Sequence, residues 1–438
     1  MNLAKQLNHS AIFRGDNWPI NFEALNAGCK YKFLTLYEAM LQEGGNEYDL
    51  DRARAAIFYL RSILERHLLT GLDKVCVEIG CGIGTKAFAI NDLFGQYFGI
   101  DTQEDQIKVA EIRSKSLNIT NTTFIPANAV DVLQSPKAYG LPTHIDLLLL
   151  YAVIEHLTPG ERSEIFNIMD QVLANGGHVL IMETPNRLVS FDSHTTGAHF
   201  INWLPDDLAY KIIPRTPFGQ NFPGFSQQQS PEKGQETIYR AGRGVSFHDF
   251  EDGFRHNIMD YGFLMNSCSC ESLSIDPLQS QELYLFGYLS NHANNIPPAV
   301  FSRSWIDTVI SANPSDTAST TYLSPWWPQW AVYDKPPQFW HPPLTKLTNQ
   351  NSSWEADPNL GVGGEILLLF SGSDDRLRFW QNDNLIDEIE ITELRDARPA
   401  RPHDIFTVAY NSLSPIKSLK LESMRGQSAF HGAFIHSR

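Results

Sequence analysis

VEIGCGIGT (residues 77–85) ends a short apolar run, KVCVEIG (74–80), and opens a helix-forming stretch, TKAFAINDLF. A buried strand that ends in alternating glycines, Gly80, Gly82 and Gly84, makes a tight turn whose backbone a ligand can approach directly. The helix that starts there offers unpaired N–H groups and a positive dipole end, suited to a carboxylate or a phosphate. The spacing is G-x-G-x-G; the G-x-G-x-x-G dinucleotide fingerprint does not fit, because Lys86 and Ala87 follow. Glu78 stands two residues before the first glycine, and Asp101 stands 17 residues after Gly84. Asp101 ends the next apolar run, where an acid can accept both hydroxyls of a ribose.

Outward from this turn the pattern alternates. QYFGID (96–101), TTFIPAN (122–128), HIDLLLLYAVIEH (144–156) and HVLIMET (178–184) read as strands, and EDQIKVAEIRSKSL and ERSEIFNIMDQVL as the helices among them. Strands alternating with helices imply a parallel sheet covered on both faces. After an insertion, SFHDFEDGFRHNIMDYGF reads as a helix ending near Gly262. FLMNSCSCESL and ELYLFGYLS then read as two consecutive strands, which a short loop makes antiparallel. The expected fold is a Rossmann-like α/β sheet of seven strands, five parallel and a terminal antiparallel pair. A dinucleotide-binding oxidoreductase would more often continue βαβ.

At 438 residues the chain is too long for one ordinary domain. Residues 1–73 read as a helical segment, with apolar residues at helical spacing in LDRARAAIFYLRSILERHLL (50–69). Residues 74–290 hold the sheet, with an insertion over 184–245. Residues 291–350 form a helix and a Pro/Trp-rich linker, including Trp326, Trp327, Trp330 and Trp340, because proline blocks regular helix. Residues 351–438 alternate like a small β-sandwich, with QNDN as a turn and Phe379, Trp380, Phe406, Tyr410 and Phe430 spaced as core residues. That domain packs, dimerises, or grips a glycan or peptide.

With 42% hydrophobic and 19% charged residues, the chain is core-forming and not disordered. A net charge of −16 and the lack of any Lys/Arg-rich run argue against nucleic acid as a partner. No run reaches the ~20 apolar residues of a membrane helix, and no secretory signal is evident. Five cysteines, Cys29, Cys76, Cys81, Cys268 and Cys270, suit a reduced, cytoplasmic setting. Cys268 and Cys270 read as strand packing.

The elements VEIGCGIGT, GID ending in Asp101, PANAVDV and DLLLLYAVIEHL, in that order, resemble the class I family of S-adenosylmethionine-dependent methyltransferases over roughly residues 74–290. The resemblance implies that Gly80, Cys81, Gly82 and Gly84 hold the methionine part of S-adenosyl-L-methionine, with Glu78 near its amino group. It implies that Asp101, with Thr102 beside it, binds the ribose, that Asn128 and Ala129 flank adenine, and that Tyr151 lies beneath cofactor and acceptor. The family often has Asp at the position of Asn128; Asn keeps an acceptor and adds donors.

A sulfonium methyl is already activated, so the chain must align a nucleophile and exclude water. A hydroxyl nucleophile benefits from a base, and His156, just past the fourth strand, is the first candidate. Its bland alternative is a loop hydrogen bond, and Glu155 either orients it or caps backbone amides. The insertion is long enough to be a lid. It carries Arg187, Asp192, His194, His199 and Trp203, in a pattern resembling class I methyltransferases of bacterial glycan and natural-product gene clusters. His194 and His199 are candidates for base catalysis or acceptor recognition, against structural hydrogen bonding. D-x-H-x4-H is a poor metal signature, and no metal is assigned. Arg187 suits an acceptor carboxylate or phosphate, or a salt bridge. Asp192 is a candidate acceptor contact, and Trp203 a lid anchor or a stacking platform.

The expected activity is methyl transfer to a hydroxyl of a carbohydrate-containing or other natural-product acceptor. N- or O-methylation of a peptide is the alternative, and a non-catalytic cofactor-binding subunit, with a homodimer possible, is the reading from another class.

Overall fold

The computed structural model describes residues 11–14, 60–221, 225, 230–266, 280–293, 295–317, 319–323, 345–347, 353–372, 375–391, 406–426 and 428–437. The chain forms two compact units, one of Asn26–Ser267 with Leu289–Thr317 and one of Met1–Leu25, Cys268–Tyr288 and Ala318–Arg438. Cys29, Cys268, Cys270 and the four linker tryptophans lie outside the described residues.

The first unit is built on a sheet of β1 (Gly71–Ile79), β2 (Phe94–Asp101), β3 (Thr122–Pro126), β4 (Leu147–Tyr151), β5 (His178–Pro185), β6 (Gly262–Met265) and β7 (Trp305–Ser311). Their order is β3-β2-β1-β4-β5-β7-β6. The first five pair in parallel, and β7 runs antiparallel to both β5 and β6. Leu147, Leu148, Leu149 and Leu150 are all fully buried, as a strand covered on both faces requires. The helices before and between its first five strands are α1 (Arg61–Arg66), α2 (Thr85–Ile90), α3 (Glu104–Ser116), α4 (Ala129–Gln134) and α5 (Pro159–Ala174). α5 starts sharply because Thr158 and Glu161 form a reciprocal capping box and Pro159 takes the first turn. It buries Ile165, Phe166, Met169 and Leu173 on one face.

Three expectations fail here. The stretch read as one helix up to Gly262 is helical only over Phe247–Gly253, followed by a single 3-10 turn at Ile258–Asp260. ELYLFGYLS is not a strand; it lies in the helix Ser280–His292. Leu283, Phe286 and Leu289 are buried at a spacing of three, while Tyr284 and Tyr288 are exposed, which is a helical and not an alternating pattern. The strand that completes the sheet is β7, beyond the boundary at 290. Its Asp307 and Thr308 disguise it, yet both are buried, because Asp307 Oδ1 accepts from the Glu183 N–H and Thr308 Oγ1 donates to the Met265 carbonyl. At the other end, Ala11–Arg14 belongs to no helix: it is a strand pairing in parallel with Thr407–Tyr410. Of the expected 50–69 helix, only the part from Leu60 lies within the described residues.

The second unit holds two sheets of β8 (Ser319–Leu323), β9 (Thr345–Leu347), β10 (Ser353–Ala356), β11 (Gly364–Gly372), β12 (Arg376–Gln381), β13 (Asn384–Glu390), β14 (Phe406–Ser412), β15 (Leu419–Ser423) and β16 (Ser428–Ser437). One sheet runs from Ala11–Arg14 through β14, β11 and β16 to β8, with β9 also on β16; the other is β10-β15-β12-β13. Ile366, Leu368, Val408 and Phe430 from the first share one core with Trp354, Leu377, Phe379 and Leu421 from the second, the layering of a sandwich. Asn382 and Asp383 both take left-handed backbone between β12 and β13, so QNDN is a two-residue hairpin turn.

Among the described residues, no helix is long and apolar enough to cross a membrane.

Candidate active site

The glycine turn sits where β1 meets α2. Gly80, Gly82 and Gly84 have φ of 69°, 53° and 77°, all left-handed. A Cβ on Gly80 would lie 2.7 Å from Val153 Cγ2, so glycine is demanded by space as well as by conformation. The turn is pinned to the neighbouring strand, as the N–H groups of Gly80 and Cys81 donate to the Ile100 carbonyl at 2.8 and 3.2 Å. Asp101 adds a second clamp: Oδ2 accepts from the Gly82 N–H at 2.9 Å and Oδ1 from the Gln103 N–H at 2.8 Å. Each oxygen keeps a further lone pair, and the side chain is only half-buried. Thr102 beside it is exposed, whereas Cys81 is buried and burial pushes its thiol well up.

Beneath the turn lies a polar pair that sequence reasoning missed. Glu78 is fully buried; Tyr97 donates to Oε2 at 2.7 Å, and Lys86 Nζ stands 3.5 Å from Oε1. The latter is an ion-pair contact without hydrogen-bond geometry, since Oε1 has no hydrogen-bond partner. Burial pushes the Glu78 carboxyl up, opposed by Lys86 and Tyr97. Lys86 also sits 4.7 Å from the centre of the Tyr151 ring. A lone lysine in the otherwise apolar TKAFAI was the available signal.

Tyr151 ends β4 and donates its hydroxyl to Glu183 Oε1 at 2.5 Å. Ala152 and Glu183, at the same edge of adjacent strands, have φ of 55° and 51°, strained for residues with a side chain. Asn128 caps α4, its Oδ1 accepting from the Val130 N–H at 2.8 Å, so its acceptor is largely committed while its amide donors are not used by the cap. Ala129 is buried as the first residue of that helix.

Just past β4 the chain gathers Glu155, His156 and, from the insertion, His194. One ligand-type atom from each lies within 4.8 Å of the others. Glu155 is fully buried, and burial, with Glu183 adding its charge, pushes its carboxyl up to about 8. His156 Nδ1 lies 3.0 Å from the Arg240 carbonyl, which can only accept, so the ring proton is on Nδ1. The His156 and His194 rings are 5.6 Å apart, and His194 also packs edge-on to Trp305.

The insertion has its own small core of Ile201, Ala209, Ile213, Phe225, Ile238 and Ala241. Asp192 is buried and serves the local turn: Oδ1 accepts from the N–H groups of His194 and Thr195, and Oδ2 from the Thr196 hydroxyl. Arg187 donates to the Asn202 carbonyl at 3.0 Å and lies 3.9 Å from Asp206. His199 is exposed on the ribbon Phe191–Asp192/Ala198–His199, against Phe191 and Phe200, and is not part of the Glu155 cluster. Trp203 is 53% exposed, donates to the Leu188 carbonyl and packs on Phe200. The structure thus brings His156 and His194 together and leaves His199, Asp192 and Trp203 in other settings.

A β3-β2-β1-β4-β5-β7-β6 sheet with its seventh strand antiparallel, and a glycine turn at the tip of β1, fit a Rossmann-like methyltransferase fold. In agreement, a family model described as a methyltransferase domain matches residues 72–215. No curated protein matches the chain. Among solved structures, a SAM-dependent methyltransferase from Archaeoglobus fulgidus is 24% identical over 30% of this chain and 54% of that one, with a TM-score of 0.23. A protein from Pyrococcus horikoshii is 24% identical over 31% and 59%, TM-score 0.25. The YcgJ protein from Bacillus subtilis is 17% identical over 28% and 50%, TM-score 0.23. The chain thus spans only about half the length of these structures.

Proposed function

We propose that the chain is an S-adenosyl-L-methionine-dependent methyltransferase whose acceptor presents a hydroxyl on a carbohydrate-containing or other natural-product scaffold. One observation carries the cofactor part: the left-handed glycine turn is clamped to the half-buried Asp101 carboxylate through the Gly82 N–H. Three glycines in left-handed conformation leave the turn's backbone bare of side chains, and Asp101 retains lone pairs for a ribose diol, so these residues fit the cofactor. When bound, the cofactor supplies an activated methyl. In this reading Gly80, Gly82 and Gly84 face the methionine part, Asn128 offers amide donors to adenine, and the buried Glu78–Lys86 pair holds the floor of the turn rigid.

The acceptor's proton leaves toward Glu155, His156 and His194, the titratable group just beyond β4. Supporting a ring-bearing acceptor are the exposed aromatics of the insertion, Phe200 and Trp203, flanked by His199. Arg187, already tied to Asn202 and Asp206, is a residue of this region that suits an acidic group on the acceptor. The test is calorimetric titration of the full chain with S-adenosylhomocysteine and, separately, NAD. The expected result is saturable binding of the first only, weakened in Asp101→Ala; binding of NAD alone would overturn the reading.

A further inference from the structure

The side chain of Glu155 is fully buried, yet its Oε1 has no hydrogen-bond partner among the described residues. A buried carboxylate oxygen left without a donor costs about 1–3 kcal/mol, more when charged, and calls for an explanation. Oε2 has only a long contact to the Thr184 hydroxyl, at 3.4 Å. What Oε1 faces is His156 Nε2, at 3.6 Å, and the proton on Nδ1 leaves Nε2 as that ring's lone-pair nitrogen. At His194 the bonding follows similar logic. Thr195 Oγ1 donates its one proton to the carbonyls of Ala241 and Gly242, at 3.1 and 2.6 Å. It therefore accepts from His194 Nδ1, 3.0 Å away, and that ring too carries its proton on Nδ1.

We propose that Glu155, His156 and His194 form a binding site for one divalent transition-metal ion, of which zinc is the type. A tetrahedral ion with ligands at about 2.1 Å holds them about 3.4 Å apart. The Glu155–His156 separation of 3.6 Å already matches, and the third ligand atom lies within the 4.8 Å limit of both. Two imidazoles and one carboxylate make a set that such ions favour over magnesium or calcium. With the ion held through Nε2, each histidine would also have on Nδ1 the partner a metal-bound histidine needs: the Arg240 carbonyl for His156 and the Thr195 hydroxyl for His194. Three protein ligands leave a coordination position for an oxygen of the acceptor, whose hydroxyl a bound ion would acidify, so with the ion in place the three residues hold it and the proton passes to solvent. That last placement alone rests on the methyl-transfer reading; the metal site stands without it.

The experiment titrates chelator-stripped full-length protein with Zn2+ alone by calorimetry. One ion per chain is expected, with at least about 10-fold weaker binding in Glu155→Gln, His156→Ala and His194→Ala. His144→Ala, at an exposed histidine outside the cluster, controls for surface binding and should match the wild type. Because a core substitution can unfold the chain, Co2+ is also added to the wild type, where the intense visible absorption of a four-coordinate ion is expected. No stoichiometric zinc, zinc binding unchanged in all three variants, or only a weak six-coordinate cobalt spectrum would each overturn the site. Titration with S-adenosylhomocysteine keeps the two readings apart, since zinc without cofactor binding sinks the methyltransferase and cofactor binding without zinc sinks the metal.

Discussion

Lys86→Met tests the structure under the glycine turn. The side chains of Lys86 and Glu78 are 9% and 0% exposed, so neither charge has water to fall back on. Removing one partner of a buried pair costs about 3–5 kcal/mol, because the remaining charge stays desolvated. Methionine refills most of the volume, so the loss reflects charge and not a cavity. At roughly 2–4 °C per kcal/mol, the melting temperature of the first unit falls by roughly 6–20 °C. The double variant Glu78→Gln/Lys86→Met should recover most of this, leaving a coupling of about 2 kcal/mol or more. The loss also depends on pH. Burial holds the folded Glu78 carboxyl above its unfolded value. Stability from such a group is complete below the unfolded value and is lost as pH rises through the folded one. Without Lys86 that value moves further up, so the deficit should be larger at about pH 8 than at about pH 5. Urea unfolding by circular dichroism at both pH values measures it. A deficit below about 1 kcal/mol, or one equal at both pH values, would refute the argument.

Other expectations are simpler. Asp101→Ala forfeits charge-assisted hydrogen bonds worth about 1.5–3 kcal/mol, so S-adenosylhomocysteine should bind about 10- to 150-fold more weakly by calorimetry. Gly80→Ala forces a side chain into left-handed backbone, at about 1–2 kcal/mol, and against Val153, so thermal stability and cofactor affinity should fall together. Thr158→Ala removes the cap of α5 and should cost about 1 kcal/mol in urea unfolding while leaving S-adenosylhomocysteine affinity unchanged.

How far the sequence could be read depended on the range of the interaction. Three glycines in VEIGCGIGT announce a turn because left-handed backbone is a property of single residues, and all three take it. Asp101 stood out because it ends an apolar run, but its hydrogen bond to the Gly82 N–H, which clamps the turn, could not be read from that position. LLLL at 147–150 announced a buried parallel strand, since only a strand covered on both faces is apolar throughout. The last strand was misplaced for the converse reason. Trp305–Ser311 hides Asp307 and Thr308 inside the sheet, and only the neighbouring backbone of Glu183 and Met265 explains why they are tolerated there.

Local pattern by itself therefore determined the five parallel strands and the glycine turn, and picked out the acid at Asp101. Tertiary structure alone decided the partners of buried charge. Lys86 meets Glu78 only because α2 folds back over β1. His194 reaches Glu155 and His156 only because the insertion returns to the edge of β4, some 40 residues along the chain. The same folding set Asp192 into its own turn, where it accepts from Thr195 and Thr196. A carboxylate's spacing in sequence says nothing about which donor will desolvate with it, and that pairing is settled by what the fold brings within a few ångströms.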